Sequence, residues 1–374
     1  MTFLGEVGTM KKKRMKPVYV FLASLLVVAF LLSMSSTAVT ATPASVIHTT
    51  SGFNVAGNVL ITDQFNNRVI EVNPLSGKIV WSFGSNDPND ITPIAGHIIA
   101  PNWAERLSGG LTIIAGTGTS LVPDNRVIVV NQCGEIVWQY GQGGVAGDGP
   151  NQLNVPVSAI QLPNHDILIT DQANNRVIEV NLLHQIVWSY GPTSGPGALN
   201  SPNSAELLKN GHVLIADEAN NRVIEIDRCG NIVWQYSGTI NGAAFASRLA
   251  NGDTLITDAG NARILEVNHC KQVVFQYFTN TDPKSNPAPA PTNAVKLKNG
   301  NIIIADQFND RAFIINASKQ IIWQYGKINV VGNTHGLLNA PYTAFVIGDY
   351  TGQTVPPHSF WPLFHHVKDR AWCN

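Results

Sequence analysis

One phrase returns six times along this chain of 374 residues, most legibly as DQFNNRVIEV (63–72), DQANNRVIEV (171–180) and DEANNRVIEI (217–226). Each copy runs, 12 or 13 residues after its arginine, into an aromatic position: Trp81, Trp138, Trp188, Trp234, Phe275 and Trp323. Those positions lie 57, 50, 46, 41 and 48 residues apart. A period in the forties made only of short strand-like runs predicts a β-propeller, with one four-stranded blade per copy.

Copy four spells out the unit, NSPNSAELLKNGHVLIADEANNRVIEIDRCGNIVWQYS (200–237). NSAELL reads as the first strand, and KNG as a turn whose Asn and Gly tolerate positive φ. HVLIAD is a nearly continuous apolar run, as expected of a strand covered on both faces. NRVIEID and IVWQYS complete the blade, rich in the β-branched and aromatic residues that suit a pleated, buried surface. Aligned copies place Ala104, Ala159, Ala205, Ala246, Ala294 and Ala344 at one position of the first strand. Innermost strands crowd the axis, where a larger side chain collides with the next blade.

The sixth alanine lies in NAPYTAFVIGD (339–349), after the sixth aromatic position, with no full blade following. This segment is expected to supply the innermost strand of the first blade, closing the ring and removing an exposed sheet edge. The prediction is an all-β, six-bladed propeller over residues 42–355. Copy two departs from the pattern, replacing the repeated turn by GTGTSLVPDNR (116–126) without an aspartate at the strand end.

The ends read differently. Lys11, Lys12, Lys13, Arg14 and Lys16 precede an 18-residue apolar run (17–34) and then small residues. That order reads as a secretory signal peptide within 1–41, cut after Ala38 or Ala41. An uncleaved anchor is the other reading, because about 18 apolar residues just span a bilayer. Residues 356–374 form an aromatic-rich tail. From residue 42 onward 19 basic residues face 24 acidic ones, and no basic stripe appears, which argues against nucleic acid as a partner. A membrane partner is expected only if the leader is retained.

Four cysteines, Cys133, Cys229, Cys270 and Cys373, contain no C-x-x-C pair of the zinc-binding kind. Cys270 with Cys373 is the pairing to consider, against free turn cysteines. No metal or other cofactor is expected.

The D-x-x-N-N-R-V-I-E-V phrase, with Pro and a small residue opening the unit, resembles the NHL repeat family of six-bladed propellers. That resemblance covers about residues 55–350 and implies either an interaction platform or a lyase. SGKIVWSFG (76–84) is similar to the tryptophan motif of pyrroloquinoline-quinone-type propellers, which usually have eight blades and a vicinal disulfide. No adjacent cysteines exist here. GxIVWQYG joined to LLKNGHVLIAD is similar to the repeats of bacterial arylsulfotransferases, a family with a histidine nucleophile.

Asp63, Asp171, Asp217, Asp258 and Asp306, with the arginines five residues later, recur in nearly every blade and are therefore read as structural. A short Asp caps a tight turn, and arginine ties neighbouring segments by paired hydrogen bonds. Function is sought where copies differ, at the channel mouth. Asn102, Trp103, Arg106, Asn203, Phe245, Arg248, Asn293, Lys296 and Tyr342 there mix aromatic rings, amides and cations, which suits a glycan or aromatic ligand. The expectation is an exported binding or interaction module, secreted or at the cell surface, for such a small molecule or for a protein. The alternative is a lyase, hydrolase or arylsulfotransferase-like enzyme. In that reading Arg106, Arg248 and Lys296 hold an anion and His97 or His335 acts as acid–base or nucleophile.

Overall fold

The β-branched runs become strands where the repeat places them. The computed structural model describes residues 52–349 and 354–355; the leader (1–41) and the tail (356–374) lie outside them. Six antiparallel four-stranded sheets follow one another. Blade 2 comprises Pro101–Arg106, Thr112–Gly118, Pro123–Val130 and Ile136–Gly141, written from the axis outward. Blade 3 has Pro156–Gln161, Ile167–Asp171, Arg176–Val180 and Ile186–Tyr190. Blade 4 has Pro202–Leu207, Val213–Asp217, Arg222–Ile226 and Ile232–Tyr236. Blade 5 is built from Ala243–Arg248, Thr254–Asp258, Arg263–Val267 and Val273–Phe278, and blade 6 from Pro291–Lys296, Ile302–Asp306, Arg311–Ile315 and Ile321–Gly326.

Blade 1 is assembled from both ends of the propeller. Val59–Asp63, Arg68–Val72 and Ile79–Gly84 are completed by Pro341–Val346, which pairs Val346 with Val59 and Ala344 with Ile61. The closure foreseen for residues 339–349 therefore forms, and six is the blade number. Each innermost strand packs against the next around the ring, blade 1 against blade 2 included.

Two repeated devices hold neighbours together. Trp81 Nε1 donates to the Gln132 carbonyl of blade 2 at 2.9 Å, and Trp138, Trp188, Trp234 and Trp323 do likewise toward Leu182, Arg228, His269 and Pro74. A buried indole needs such a partner. The second device is the repeated turn. Asp63 Oδ2 accepts from Asn66 and Arg68, while its Oδ1 takes the Asn339 N–H; Arg68 also donates to the carbonyls of Asn333 and Leu337. Asn67 adopts a left-handed φ of 52° and accepts the Ala100 N–H that begins the next blade. The outer strand then ends at Gly84 with φ +108°, where a Cβ would collide with the Asn67 carbonyl. Only glycine fits there.

Blade 2 keeps this device by another route. Asp124, on its third strand, holds Arg126 Nε at 2.6 Å and accepts the Ile99 N–H at 2.7 Å. Gly116 stands where the other copies carry aspartate, and a Cβ on it would meet Asp124 Oδ1 at 2.7 Å. The carboxylate missing from the strand end is thus supplied from across the sheet.

Cys229 and Cys270 are free and exposed, so Cys270 is not bridged to Cys373. Cys133, at the same repeat position, is disulfide-bonded, contrary to its reading as a free turn cysteine. Among the described residues no helix is long and apolar enough to cross a membrane.

Candidate binding site at the channel

Innermost strands begin, and second strands end, on one face of the disk, so the mouth residues are set by the first two positions of each innermost strand and by the repeated turns. Asn102 and Asn203 occupy this place in blades 2 and 4, and Tyr342 in blade 1. The structure joins these three. The Tyr342 hydroxyl meets the Asn203 carboxamide at 2.8 and 3.0 Å and also bonds Asn102. Gln64 donates to Asn102 at 2.7 Å and receives a bond from Gln307 at 2.7 Å. Asn203 donates in turn to Glu218 at 2.7 Å. Blades 1 and 4 stand opposite in a six-membered ring, so Tyr342 lies across the mouth as part of one polar plate.

Burial shapes the chemistry of this plate. It pushes the Glu218 carboxyl up to about 7 against the bond from Asn203, and with the Glu218 charge it pushes the Tyr342 hydroxyl up. Both side chains keep some exposure, whereas Asn102 and Asn203 are buried.

Beneath the plate the axis is filled. Trp103 of blade 2 stacks on Phe245 of blade 5, opposite it, with centroids 6.0 Å apart, and tilts against Phe345 of blade 1 at 5.0 Å. Both rings predicted to receive a ligand therefore face each other. Asn293 is fully buried and accepts the Ala344 N–H, capping a channel-side donor of the closing strand. Ser204 and Glu206 do the same for Ala246 and Arg248. Glu105 and Glu206 are buried carboxyls in this lower channel. Burial, then the Glu206 charge, pushes Glu105 well above the usual carboxylate range; burial pushes Glu206 up to about 8, with Arg248 opposing.

The three cations are placed elsewhere. They end the innermost strands, away from the mouth, and each is bound to a glutamate of the preceding blade: Arg106 to Glu71 at 2.7 Å, Arg248 to Glu225 at 2.9 Å, Lys296 to Glu266 at 2.7 Å. The sequence carries a signal for this pairing. Three of the four copies with glutamate at that third-strand position precede a cation, and Val129 and Ile314 precede the uncharged Gln161 and Val346. The exception, Glu179, precedes Leu207 and pairs with Arg228 instead.

The two histidines are also apart from the channel. His97 Nδ1 lies 2.6 Å from Asp90 within one connecting loop, and Asp90 is held below the usual carboxylate range by hydrogen bonds from Ser85, Thr92 and His97 that outweigh burial. His335 packs edge-on to Tyr325 at 6.3 Å. Among the described residues no three His, Cys, Asp or Glu side chains gather as metal ligands do.

Pyrroloquinoline quinone, for which one repeat type is named, is a flat tricarboxylate. The channel side chains that approach the axis are themselves carboxyls and mutually packed rings, and the cations are paired to glutamates. These residues do not fit that group.

Solved structures share the fold. A protein of unknown function from Bacteroides caccae superposes with a TM-score of 0.55 at 16% identity, covering 77% of this chain and 99% of its own. Virginiamycin B lyase from Staphylococcus aureus gives 0.50 at 16% identity, with 77% and 85% covered. A streptogramin B lyase gives 0.50 at 17% identity, with 75% and 82% covered. No curated protein matches the chain. Of the resemblances in the repeat, the family match falls to the quinoprotein-type one and not to the NHL type. Residues 65–325 match the PQQ_2 family, described as outer membrane protein assembly factor BamB, and the chain belongs to that family.

Proposed function

We propose that the protein is an exported interaction module that docks a protein partner on the loop collar around its mouth. One observation carries this reading: the large exposed apolar residues on the turns and connections of that face gather on one side, with Phe278 at the end of an outer strand standing apart. Phe65, Ile91, Ile94, Leu121, Val145, Val330 and Val331 all sit on turns and connections of blades 1 and 2 and their flanks. The connections before blades 4 and 5 (191–201 and 237–242) expose none. Ile91 and Leu121 are 67% and 77% exposed, which places them at the collar's crest.

The collar is also preorganised. Asn67 bonds the Asp87 carbonyl, Gly118 the Ile99 carbonyl, Arg126 the Ile94 carbonyl and Asn333 the Asn86 carbonyl, so its loops brace one another. An exposed apolar patch on a rigid frame is the usual mark of a protein partner. The mouth enclosed by the collar offers a small molecule little, because Trp103 and Phe245 spend their faces on each other. An envelope location agrees with the family's description and with the charged and apolar order of residues 11–41.

The test is photocrosslinking in producing cells from positions 91, 121 and 331, with position 233 on the outer strand of blade 4 as control. The expected result is one protein adduct shared by the first three positions and absent from the fourth. Adducts spread equally over all four, or none at the collar, would discard this surface.

A further inference from the structure

Blades 1 and 2 enclose a small niche that the chain fills with its own residues. Glu71 lies on the third strand of blade 1, Trp81 on its outer strand, and Arg106 at the end of the innermost strand of blade 2. Arg106 donates to Glu71 Oε2 at 2.7 Å, and its guanidinium carbon lies 4.9 Å from the Trp81 ring centroid. Phe53 enters this frame. Its ring sits 5.9 Å from Trp81 and 4.3 Å from the Arg106 guanidinium. The next residue, Asn54, gives its backbone N–H to Glu71 Oε1 at 2.8 Å. Gly110 makes room, since a Cβ on it would stand 3.1 Å from the Phe53 ring. An aromatic side chain followed by a free N–H is therefore what this frame accepts.

The same three residue types return at the same repeat positions between blades 4 and 5. Arg248 donates to Glu225 Oε2 at 2.9 Å and lies 5.1 Å from the Trp234 centroid. Among the described residues no segment like 52–54 covers it. Glu225 Oε1 instead takes His212 Nδ1 at 2.8 Å and Asn210 Nδ2 at 3.2 Å, both from the blade's own turn. Where Phe53 sits, the ion pair is sealed, with side chains 2% and 0% exposed; here they are 18% and 7% exposed. Val129 and Ile314 replace the glutamate at two of the other interfaces, and Phe275 the tryptophan at a third. Between blades 3 and 4 Leu207 stands at the cation's position, and Arg228 from the rim turn of blade 4 instead pairs with Glu179 and lies 4.4 Å from the Trp188 centroid, so that site is already filled by the chain's own arginine.

We propose that the Glu225–Trp234–Arg248 niche is a second docking surface, for an extended peptide segment of a partner that presents an aromatic residue. The ring slots against Trp234 and Arg248, gaining apolar burial and cation–π attraction. The following N–H displaces Asn210 from Glu225 Oε1, as Asn54 bonds Glu71. The niche lies at the ends of the innermost strands remote from the mouth collar, so it is independent of the function proposed above. The partner is recognised through one aromatic anchor and one backbone donor, a mode tolerant of the surrounding sequence.

The test uses the full chain and a synthetic peptide of residues 52–57, Gly-Phe-Asn-Val-Ala-Gly, followed by titration calorimetry. The wild-type protein is expected to bind one equivalent. A peptide with Phe replaced by Ala should bind at least about tenfold more weakly, as loss of a desolvated aromatic anchor implies. Arg248→Lys, which keeps the charge opposite Glu225 but removes the planar face, should weaken binding similarly while the protein stays folded. Phe53→Ala removes the ring from the first niche but leaves the Asn54 N–H on Glu71 Oε1, so the stoichiometry should stay at one. No binding by the wild type overturns the proposal, as does binding that neither the Ala peptide nor Arg248→Lys weakens.

Discussion

The Tyr342 hydroxyl and the Asn203 carboxamide, 139 residues apart in sequence, meet at 2.8 Å across the axis of the ring. The bond ties the strand that closes the propeller to the blade opposite, so closure is held by more than its pairing within blade 1. Tyr342→Phe removes only this hydroxyl. The expected loss is about 1–3 kcal/mol, because the hydroxyl bonds both Asn203 and Asn102 and its removal leaves buried amide groups unpaired. Asn203→Ala should cost more, because it also strips Glu218 of its shorter hydrogen bond, leaving the one from Gln172 at 3.4 Å. Denaturant midpoints of the two variants check the order.

A second expectation concerns pH. Burial holds the Glu206 carboxyl up at about 8, against an ordinary value of 4.5. A carboxyl raised on folding binds its proton more tightly in the native state. Its stabilising contribution is complete below about pH 4.5 and is lost as pH climbs through about 8. Glu105, raised by the same burial, acts in the same direction. Unfolding free energy should therefore fall between those pH values, and Glu206→Gln should flatten the slope. A variant whose profile parallels the wild type would contradict this.

Blade 2 offers a test of compensation. Gly116→Asp restores the residue found in the other copies but drives a second carboxylate onto Asp124, within 2.7 Å of where its Cβ would stand. Alone it should destabilise strongly, through steric conflict and like charge. Combined with Asp124→Ser it should recover much of that loss, because the introduced carboxylate is then free to hold Arg126. The coupling measured by a double-mutant cycle should exceed the few tenths of a kcal/mol seen between independent sites.

The repeated alanine invites overpacking. Ala159 is fully buried on the innermost strand of blade 3. Ala159→Leu should cost about 1–3 kcal/mol, as extra methylenes in a filled core do. The same substitution at the exposed Ala219 should be near neutral, which thermal melts of the pair would show.

Much of the architecture was legible because the repeat writes each blade in nearly the same letters. Ala344 announced the closing strand, since its alanine matched the five others. What the repeat cannot write is who faces whom across the axis. Trp103 and Phe245 read as open rings at a mouth; they stack because blades three apart are opposite, a fact of the closed ring and not of either copy. Arg106, Arg248 and Lys296 read as free cations because each was compared with its own copy. Their glutamates belong to the copy before, so the pairing appears only when neighbouring repeats are read together. Asp124 escaped notice for a similar reason, since the carboxylate moved from one strand to the next while keeping its place in space.

Because Pro341–Val346 completes the sheet begun by Val59–Asp63, the earliest blade to be synthesised is the last to be finished. Until that stretch arrives, Val59–Asp63 carries a bare row of amide and carbonyl groups, a template for any passing strand. A polypeptide halted anywhere before residue 341 keeps that hazard permanently. Such fragments should be insoluble or swiftly degraded, and only a chain that reaches Val346 yields a protein the cell can keep.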